Sequence, residues 1–420
     1  MHRQTTHCHG NLLGGFTITR RSTNLVFSIG LGQRVSQSMV MLLIPLWILQ
    51  EHGSSFAIGV DVAAVSVAPM VLGIPIGAAA DRLGSRRIVL IGSISAAIAT
   101  LLSISIVNVW LFGFWQMIAG LGRSAAWIGA QASITKEKED GNKRASRIGW
   151  LSLSAQMGNL GGPFLAGLLL SRASANLAFM VAAAAIAAVS FSISPGHETG
   201  SRAKHSETST SKAQSSRNNF SRALTLVKLP TFRLVVIGSI VRLALVTTRN
   251  SFYVVFLDHL GWNPLEIGII LSLGSAASAG SAGLNGSVYS RFNAQRLLCA
   301  SLLTMAAVFS LVPFSTSFVI QLIYMIVFGV GNGISQTTLI GLLAKATPAQ
   351  DQGLAVGLRT TVNRAVMMTT PFLFGVLVSI VVLPTLMFSL GAASFVAMVG
   401  TTLFMRKTPE ANADSVTETS

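Results

Sequence analysis

The sequence GAAADRLGSRR at residues 77–87 lies between two long apolar segments and places four charges within seven residues. Charged side chains are costly in hydrocarbon, and Gly84 suits a tight turn. We therefore interpret this stretch as a short loop that joins two membrane helices at the membrane surface. A weaker copy, GSVYSRFNAQR, occurs 209 residues later at residues 286–296. Two copies at a fixed offset predict a chain built from two duplicated halves.

The composition is that of a membrane protein. Of 420 residues, 51% are hydrophobic and 10% are charged, whereas soluble domains carry about 25% charged residues. About 20 apolar residues are needed to cross the hydrocarbon as a helix, and open strands would leave unpaired edges in lipid. We predict twelve membrane helices, at residues 24–50, 56–80, 87–107, 109–134, 146–170, 175–195, 233–257, 264–287, 297–313, 317–343, 353–380 and 383–405.

Lysine and arginine are distributed very unequally between alternate loops. Of the 30 in the chain, 23 fall in the two terminal segments, alternate loops and the central segment, and the opposite side holds Arg172 alone. The positive-inside rule then predicts that both termini are cytoplasmic. The formal net charge of +16 therefore reflects membrane topology, and we expect no nucleic-acid partner. The expected location is a bacterial-type inner membrane, with the protein as a multi-pass monomer.

The duplication extends beyond the loop and predicts an all-α membrane protein of two pseudo-symmetric six-helix bundles. Gly120 returns as Gly329 at an offset of 209, and Pro163 returns as Pro371 at an offset of 208. The predicted divisions are a tail at 1–23, bundles at 24–195 and 233–405, a linker at 196–232, and a tail at 406–420. The linker is rich in Ser, Thr, Lys and Arg, which is typical of a tether or of a regulatory segment.

The loop at 77–87 resembles the loop signature of the major facilitator superfamily, although Ser85 stands where that family usually has a basic residue. The resemblance implies a twelve-helix transporter that works by alternating access. It also implies gating roles for Gly77, Asp81, Arg82, Gly84, Arg86 and Arg87. In the family, the carboxylate at the position of Asp81 meets the start of the eleventh helix. The alternative is that Asp81 only pairs with Arg82 or Arg86 in solvent, which would contribute little.

The fifth predicted span resembles the antiporter motif of the same superfamily, with Ala166 in place of one glycine. Glycines one or two turns apart let helices approach closely, and a proline bends its helix. The resemblance implies a proton-coupled exporter in which this helix moves against its neighbours. The residues assigned to gating here are Gly158, Gly162, Pro163 and Gly167. Ordinary packing of small residues remains the alternative.

Six arginines lie inside the predicted spans, where a charge must face protein or water. The resemblance implies that the first, fourth, seventh and tenth helices line a central cavity, while the third, sixth, ninth and twelfth face lipid. The latter four carry no charge in their interior, since Arg87 only begins the third. We predict substrate contacts at Arg34, Arg123, Arg242, Arg249, Arg364 and Gln116. Gln116 stands where the family often has an arginine, and Arg123 is expected to face a different direction from it.

Guanidinium groups bind carboxylate or phosphate through two parallel hydrogen bonds. The arginines therefore predict an anionic substrate. The alternative is that they bond to backbone carbonyls and helix ends between helices.

Asp61 is the one acidic residue in the interior of the predicted spans, since Glu266 only begins the eighth. A carboxylate is costly to keep ionised in the membrane, so we predict Asp61 as the proton carrier. Because it lies only about one and a half turns from the outer end of its span, the alternative is that it reaches water and anchors the helix.

These features favour a secondary transporter, with proton-coupled efflux of a drug or a siderophore-like metabolite as the predicted function. Proton-coupled uptake of a small organic anion is the alternative, and a channel or a scaffold protein of the same fold remains open. The expected partners are the lipid bilayer, a small-molecule substrate and H⁺. No enzyme activity, cofactor or metal is expected, since there is no nucleotide-binding Gly-x-x-x-x-Gly-Lys-Ser/Thr run and only Cys8 and Cys299 could supply thiols.

Overall fold

The computed structural model describes residues 20–105, 108–136, 141–192, 230–289, 292–347 and 351–406. These residues form twelve α-helices and one short 3₁₀ turn, Val312–Phe314. The helices are α1 Arg20–Gln50, α2 Ser55–Leu83, α3 Ser85–Ile104, α4 Val109–Lys136, α5 Gly141–Arg172, α6 Ala175–Ser192, α7 Pro230–His259, α8 Pro264–Tyr289, α9 Ala294–Leu311, α10 Phe318–Ala346, α11 Gln352–Val378 and α12 Leu383–Arg406. The predicted twelve-helix architecture is confirmed, with ends that differ by a few residues.

The charged loop at residues 77–87 contains a one-residue turn between α2 and α3. α2 ends at Leu83, Gly84 has φ of 92°, and α3 begins at Ser85. A positive φ is costly for residues with a Cβ, which explains why glycine suits this position. Most of the predicted linker at 196–232, together with nearly all of both predicted tails, lies outside the described residues, and α7 begins at Pro230.

The outer surface of the bundle is apolar. Eight helices, α2, α3 and α7 to α12, contain a stretch apolar and long enough to cross a membrane, and α6 has a shorter one. On α3, the side chains of Ile91, Ile94 and Ile98 are exposed at helical spacing. An exposed apolar stripe of this kind fits contact with lipid, as predicted for the third helix.

The duplication predicted from the sequence is visible as equivalent contacts in the two halves. Gly120 of α4 packs against the carbonyl of Val65 in α2, and Gly329 of α10 packs against the carbonyl of Gly274 in α8. Both partners are displaced by 209 residues, so the two contacts are copies of each other. Two bundles of six helices related in this way match the parallel-repeat architecture of many transporters.

The two halves touch where α2 meets α11 and where α5 meets α8. A Cβ at Gly59 would lie 2.7 Å from the Cα of Gly375, and a Cβ at Gly268 would lie 3.3 Å from the Cα of Gly167. The rings of Phe56 and Phe372 add an edge-on contact at 6.3 Å. These contacts lie at the end of the molecule opposite the one where the described chain begins and ends. We call the end where the described chain begins and ends, which also carries Gly84, the termini side.

On the termini side, glycines of the same four helices make no contact of this kind. A Cβ added at Gly77 of α2, Gly149 of α5, Gly280 of α8 or Gly357 of α11 would meet open space within the described residues. The close backbone contacts between the halves described above therefore lie on the side opposite the termini.

Candidate substrate cavity

A cavity between the two bundles consists of two connected lobes. The N lobe, of about 270 Å³, includes Arg123 and Trp127 of α4 in its wall, together with Arg364 of α11. The C lobe, of about 260 Å³, includes Arg242 and Arg249 of α7. Both lobes share the side chains Arg34, Gln37, Met41 and Met367, so they adjoin each other at these residues.

The charged side chains that line this cavity, among the described residues, are all positive. The structure brings five of the six predicted substrate contacts to its walls, namely Arg34, Arg123, Arg242, Arg249 and Arg364. Among the described residues that line either lobe, none is acidic. The remaining lining is polar or apolar, with amides and hydroxyls beside methionine, valine and proline. A buried cluster of positive charge without a counter-charge is costly, and an anion in the cavity would reduce that cost.

Short contacts hold two of these arginines in place. Arg34 stacks on Trp127 with its guanidinium carbon 4.2 Å from the ring centre, and it donates to Gln37 at 3.1 Å. Arg242 is buried and donates from Nη2 to the side-chain oxygen of Gln336 at 2.9 Å. The partners in these contacts, an indole ring and two amides, are uncharged. They therefore do not neutralise the positive charge of either guanidinium group, and an anionic ligand can do so.

Arg249 and Arg364 contact other helices. Arg249 donates to the backbone carbonyl of Leu271 at 3.1 Å. For this arginine, the bond agrees with the alternative interpretation, in which the arginines bond to backbone carbonyls between helices. Arg364 of α11 donates to the hydroxyl of Ser124 in α4 at 3.2 Å. This second bond links the C-terminal half to the N-terminal half across the N lobe.

Gln116 lies away from the cavity. Its amide nitrogen donates to Ser103 of α3 at 3.0 Å, and its oxygen accepts from Arg123 at 3.4 Å. Arg123 also donates to Thr100 of α3 at 3.3 Å. The structure thus assigns Gln116 to the support of Arg123, in place of the predicted substrate contact. The expected difference in direction is wrong, because seven residues make nearly two full turns and put both side chains on one face.

Several buried polar atoms at the cavity have no hydrogen-bond partner within the described residues. They are the Nε atoms of Arg34, Arg123, Arg242 and Arg249 and the Oδ1 atoms of Asn332 and Asn363. Buried polar groups in proteins are nearly always hydrogen-bonded. The hydrogen-bonding capacity of the residues that line the cavity is therefore only partly used within the described residues.

Asp61 lies beside the cavity but not in its wall. Its side chain is 1% exposed, and one carboxylate oxygen packs directly against Gly113 of α4. The other oxygen has no hydrogen-bond partner within the described residues. The alternative in which Asp61 reaches water does not fit this burial. Val65, one turn further along α2, lines the N lobe, so the carboxylate is separated from the cavity by a single helical turn.

The predicted gating residues of the loop lie on the termini side. Arg82, Arg86 and Arg87 are exposed there, and a Cβ added at Gly77 would meet open space within the described residues. The side chain of Asp81 lies outside the described residues, so its predicted contact with the start of the eleventh helix stays a prediction.

The glycines of α5 fall into two groups. Gly158 and Gly162 pack against α1 of the same bundle, where Ser38 donates to the carbonyl of Gly158 at 3.0 Å. The structure thus places these two inside one bundle, where sequence reasoning expected a moving interface. Gly167 and the carbonyl of Pro163 do contact α8 of the other half.

Sequence reasoning missed three kinds of site residue: the glycines at the closed end, Trp127 beneath Arg34, and the amides of α10. Each has a signal in the duplication. Gly59 and Gly268 are 209 residues apart, as are Trp127 and Gln336. Scanning every cavity residue at this offset would have found them.

Comparisons with known proteins agree with this fold. The chain is 23% identical over 362 residues to the class B tetracycline resistance protein of Escherichia coli, which covers 85% of this chain and 88% of that protein. Among solved structures, the nucleoside transporter NupG superposes with a TM-score of 0.75 at 14% identity, over 92% of this chain and 100% of that one. A D-xylose–proton symporter superposes with a TM-score of 0.71 at 14% identity, over 91% and 95%.

A family model described as Major Facilitator Superfamily matches the chain twice, at residues 26–256 and 234–419. The two matches overlap at residues 234–256, within α7. Because together they span nearly all of the sequence, this protein belongs to the Major Facilitator Superfamily and is a membrane transporter of that fold.

Proposed function

We propose that this protein exports a small organic anion from the cell by alternating access, in exchange for protons. The observation that carries the proposal is the cavity wall, which holds five arginines and, among its described residues, no carboxylate. An opposite charge a few ångströms from a partly buried guanidinium is stabilised by a few kcal/mol, and a cation is repelled by a similar amount. The cavity therefore favours anions and disfavours cations.

The contacts between the halves at one end support alternating access. A transporter of this type must close one end of its cavity while the other is open. The glycine contacts join the halves on the side opposite the termini, and glycines of the same helices on the termini side make no such contact. We infer that the cavity opens toward the termini side, which the positive-inside rule assigns to the cytoplasm, where an exporter collects its substrate.

Two further observations favour export over uptake. The fifth helix carries the glycine and proline pattern that resembles the antiporter motif. The likeness to a tetracycline resistance protein points the same way, because resistance requires a compound to be kept out of the cell. The chemistry of the cavity restricts the exported compound to anions.

The test is transport by the purified protein in liposomes. A panel of aromatic carboxylates, iron-free siderophores and organic phosphates is compared with the cationic dye ethidium, with and without an imposed pH gradient. We expect saturable exchange of at least one anion that the gradient accelerates, and no ethidium transport above protein-free liposomes. Ethidium transport without anion transport would refute the proposal. Flux that does not saturate would indicate a channel, and the absence of any flux would indicate a scaffold role.

Replacing Asp61 with asparagine tests the proton pathway. An amide cannot take up a proton, so we expect the variant to lose acceleration by the pH gradient. Exchange of labelled for unlabelled substrate, which needs no net proton movement, should persist. The measurement is gradient-driven flux beside counterflow in the same liposomes.

The matched control is Glu51→Gln, which removes an exposed carboxylate from the connection between α1 and α2. It should behave as the wild type in both assays. If Asp61→Asn keeps its gradient-driven flux, Asp61 is not the proton carrier and another group or ion couples transport.

A further inference from the structure

The two lobes of the cavity are copies of one ancestral site. Ser66 in the N lobe and Ser275 in the C lobe are 209 residues apart. Arg34 and Arg242 also contact side chains at equivalent positions. Arg34 stacks on Trp127, and Arg242 donates to Gln336. Arg242 lies 208 residues after Arg34, and Gln336 lies 209 residues after Trp127. The two lobes, each lined by residues of both halves, therefore follow the same plan.

The other arginines are not explained by this plan. The position equivalent to Arg123 is Asn332, and the position equivalent to Arg364 is Gln156. Arg249 in turn corresponds to Met41. Duplication alone would place these charges at matching positions, and it does not. Both lobes nevertheless contain two arginines of their own, in addition to the shared Arg34.

The lining of each lobe also contains an unpartnered amide oxygen. Asn363 lines the N lobe and Asn332 lines the C lobe, and both Oδ1 atoms are buried without a hydrogen-bond partner among the described residues. The residues that line each lobe thus combine arginine donors with an asparagine acceptor. That combination fits an acidic group next to a hydroxyl or N–H group.

We propose that the substrate carries two acidic groups, one bound in each lobe, with Arg34 between them. This inference rests on the proposed function, since it specifies the anion. A substrate with one acidic group would neutralise one lobe and leave two guanidinium groups in the other without a counter-charge. A buried charge that has lost its partner is strongly unfavourable. A dianion that spans the lobes satisfies both sets at once.

The arrangement also links binding to movement. The N lobe receives Arg123 from the N-terminal half and Arg364 from the C-terminal half, and Arg364 already bonds to Ser124 across the gap. An acidic group held by both arginines strengthens that bridge. The second acidic group of the substrate binds the arginines of α7 in the C lobe. The bound substrate thereby draws the two halves together.

The test uses straight-chain dicarboxylates of increasing length, from succinate to sebacate, and their monomethyl esters. Dissociation constants are measured by calorimetry on the purified full chain in detergent. At the best length, we expect the diacid to bind at least about tenfold tighter than its monoester, because the ester loses one charge-assisted pair. Shorter diacids, which cannot reach both lobes, should show a ratio near one.

Two variants assign the acidic groups to the lobes. Arg123→Gln removes a charge from the N lobe and Arg242→Gln removes one from the C lobe, and each should lower the ratio toward one. Arg233→Gln is the control, since Arg233 is exposed at the start of α7 beside Phe404 and outside both lobes. It should keep the wild-type ratio.

The outcomes separate this inference from the proposed function. If diacids and monoesters bind equally, or no diacid binds, the two-acid inference is overturned while anion export can still stand on the liposome panel. If the ratio is high but unchanged in both arginine variants, the second acidic group binds elsewhere and the inference is also overturned. Ethidium transport without anion transport would remove both.

Discussion

Replacing Gly375 with valine is expected to stop transport by holding the protein open on the side opposite the termini. A Cβ at this position would lie 2.8 Å from the Cα of Gly59 and 3.3 Å from the carbonyl oxygen of Phe56. Both neighbours are backbone atoms and cannot move aside as a side chain would. The closed end seen in the structure then cannot form, whereas the alternate state separates α2 from α11 at this end. We expect transport to fall at least about tenfold, because alternating access needs both states.

The measurement pairs flux with accessibility. A reporter cysteine at Ser66→Cys in the N lobe is labelled with a membrane-impermeant maleimide, added on the side opposite the termini. Labelling should be faster with Gly375→Val than without it. The matched control is Gly400→Val on α12, where an added Cβ meets open space within the described residues. Normal transport by Gly375→Val, or unchanged labelling, would show that this contact is not the seal.

Replacing Arg242 with glutamine should produce the largest loss of anion binding among single changes in the C lobe. Arg242 is 9% exposed, lines that lobe and has its Nε free of any partner among the described residues. Removing one member of a buried charge pair costs about 2–5 kcal/mol, which corresponds to a loss of affinity of about thirtyfold or more. Arg242→Lys keeps the charge but loses the two-pronged donor, so its affinity should be intermediate.

The affinity is measured for the anion with the fastest flux in the liposome panel. Protein yield and melting temperature are recorded for each variant, so that misfolding is not mistaken for lost binding. Arg233→Gln again serves as the control on the same helix. A loss in Arg242→Gln no larger than in Arg233→Gln would contradict the placement of the substrate in the C lobe.

Most of the fold could be predicted because its causes are local in the sequence. A membrane helix needs about 20 apolar residues whatever its neighbours are, so the spans are visible one at a time. The turn at Gly84 follows from a charged stretch between two such spans, and the duplication follows from glycine and proline at constant offsets. None of these features depends on how a helix is rotated about its axis.

The candidate site was predictable only in part, for the same reason. Arginine within an apolar span must face protein or water, and that rule selected six arginines, of which the structure brings five to one cavity. It selected nothing uncharged, and so it missed Trp127 and Gln336. It also could not distinguish Gly158, which packs within a bundle, from Gly167, which packs between bundles.

The sequence by itself determined that this is a duplicated twelve-helix membrane protein with positive charge inside its spans, because bilayer thickness and the cost of buried charge act on each segment alone. Only the tertiary structure decided which side chains meet. Gln116 bonds to Arg123 and leaves the cavity, Asp61 is buried against Gly113, and Gly59 meets Gly375 at the closed end. Those contacts depend on the rotation and tilt of each helix, which are set by packing against residues far away in the chain.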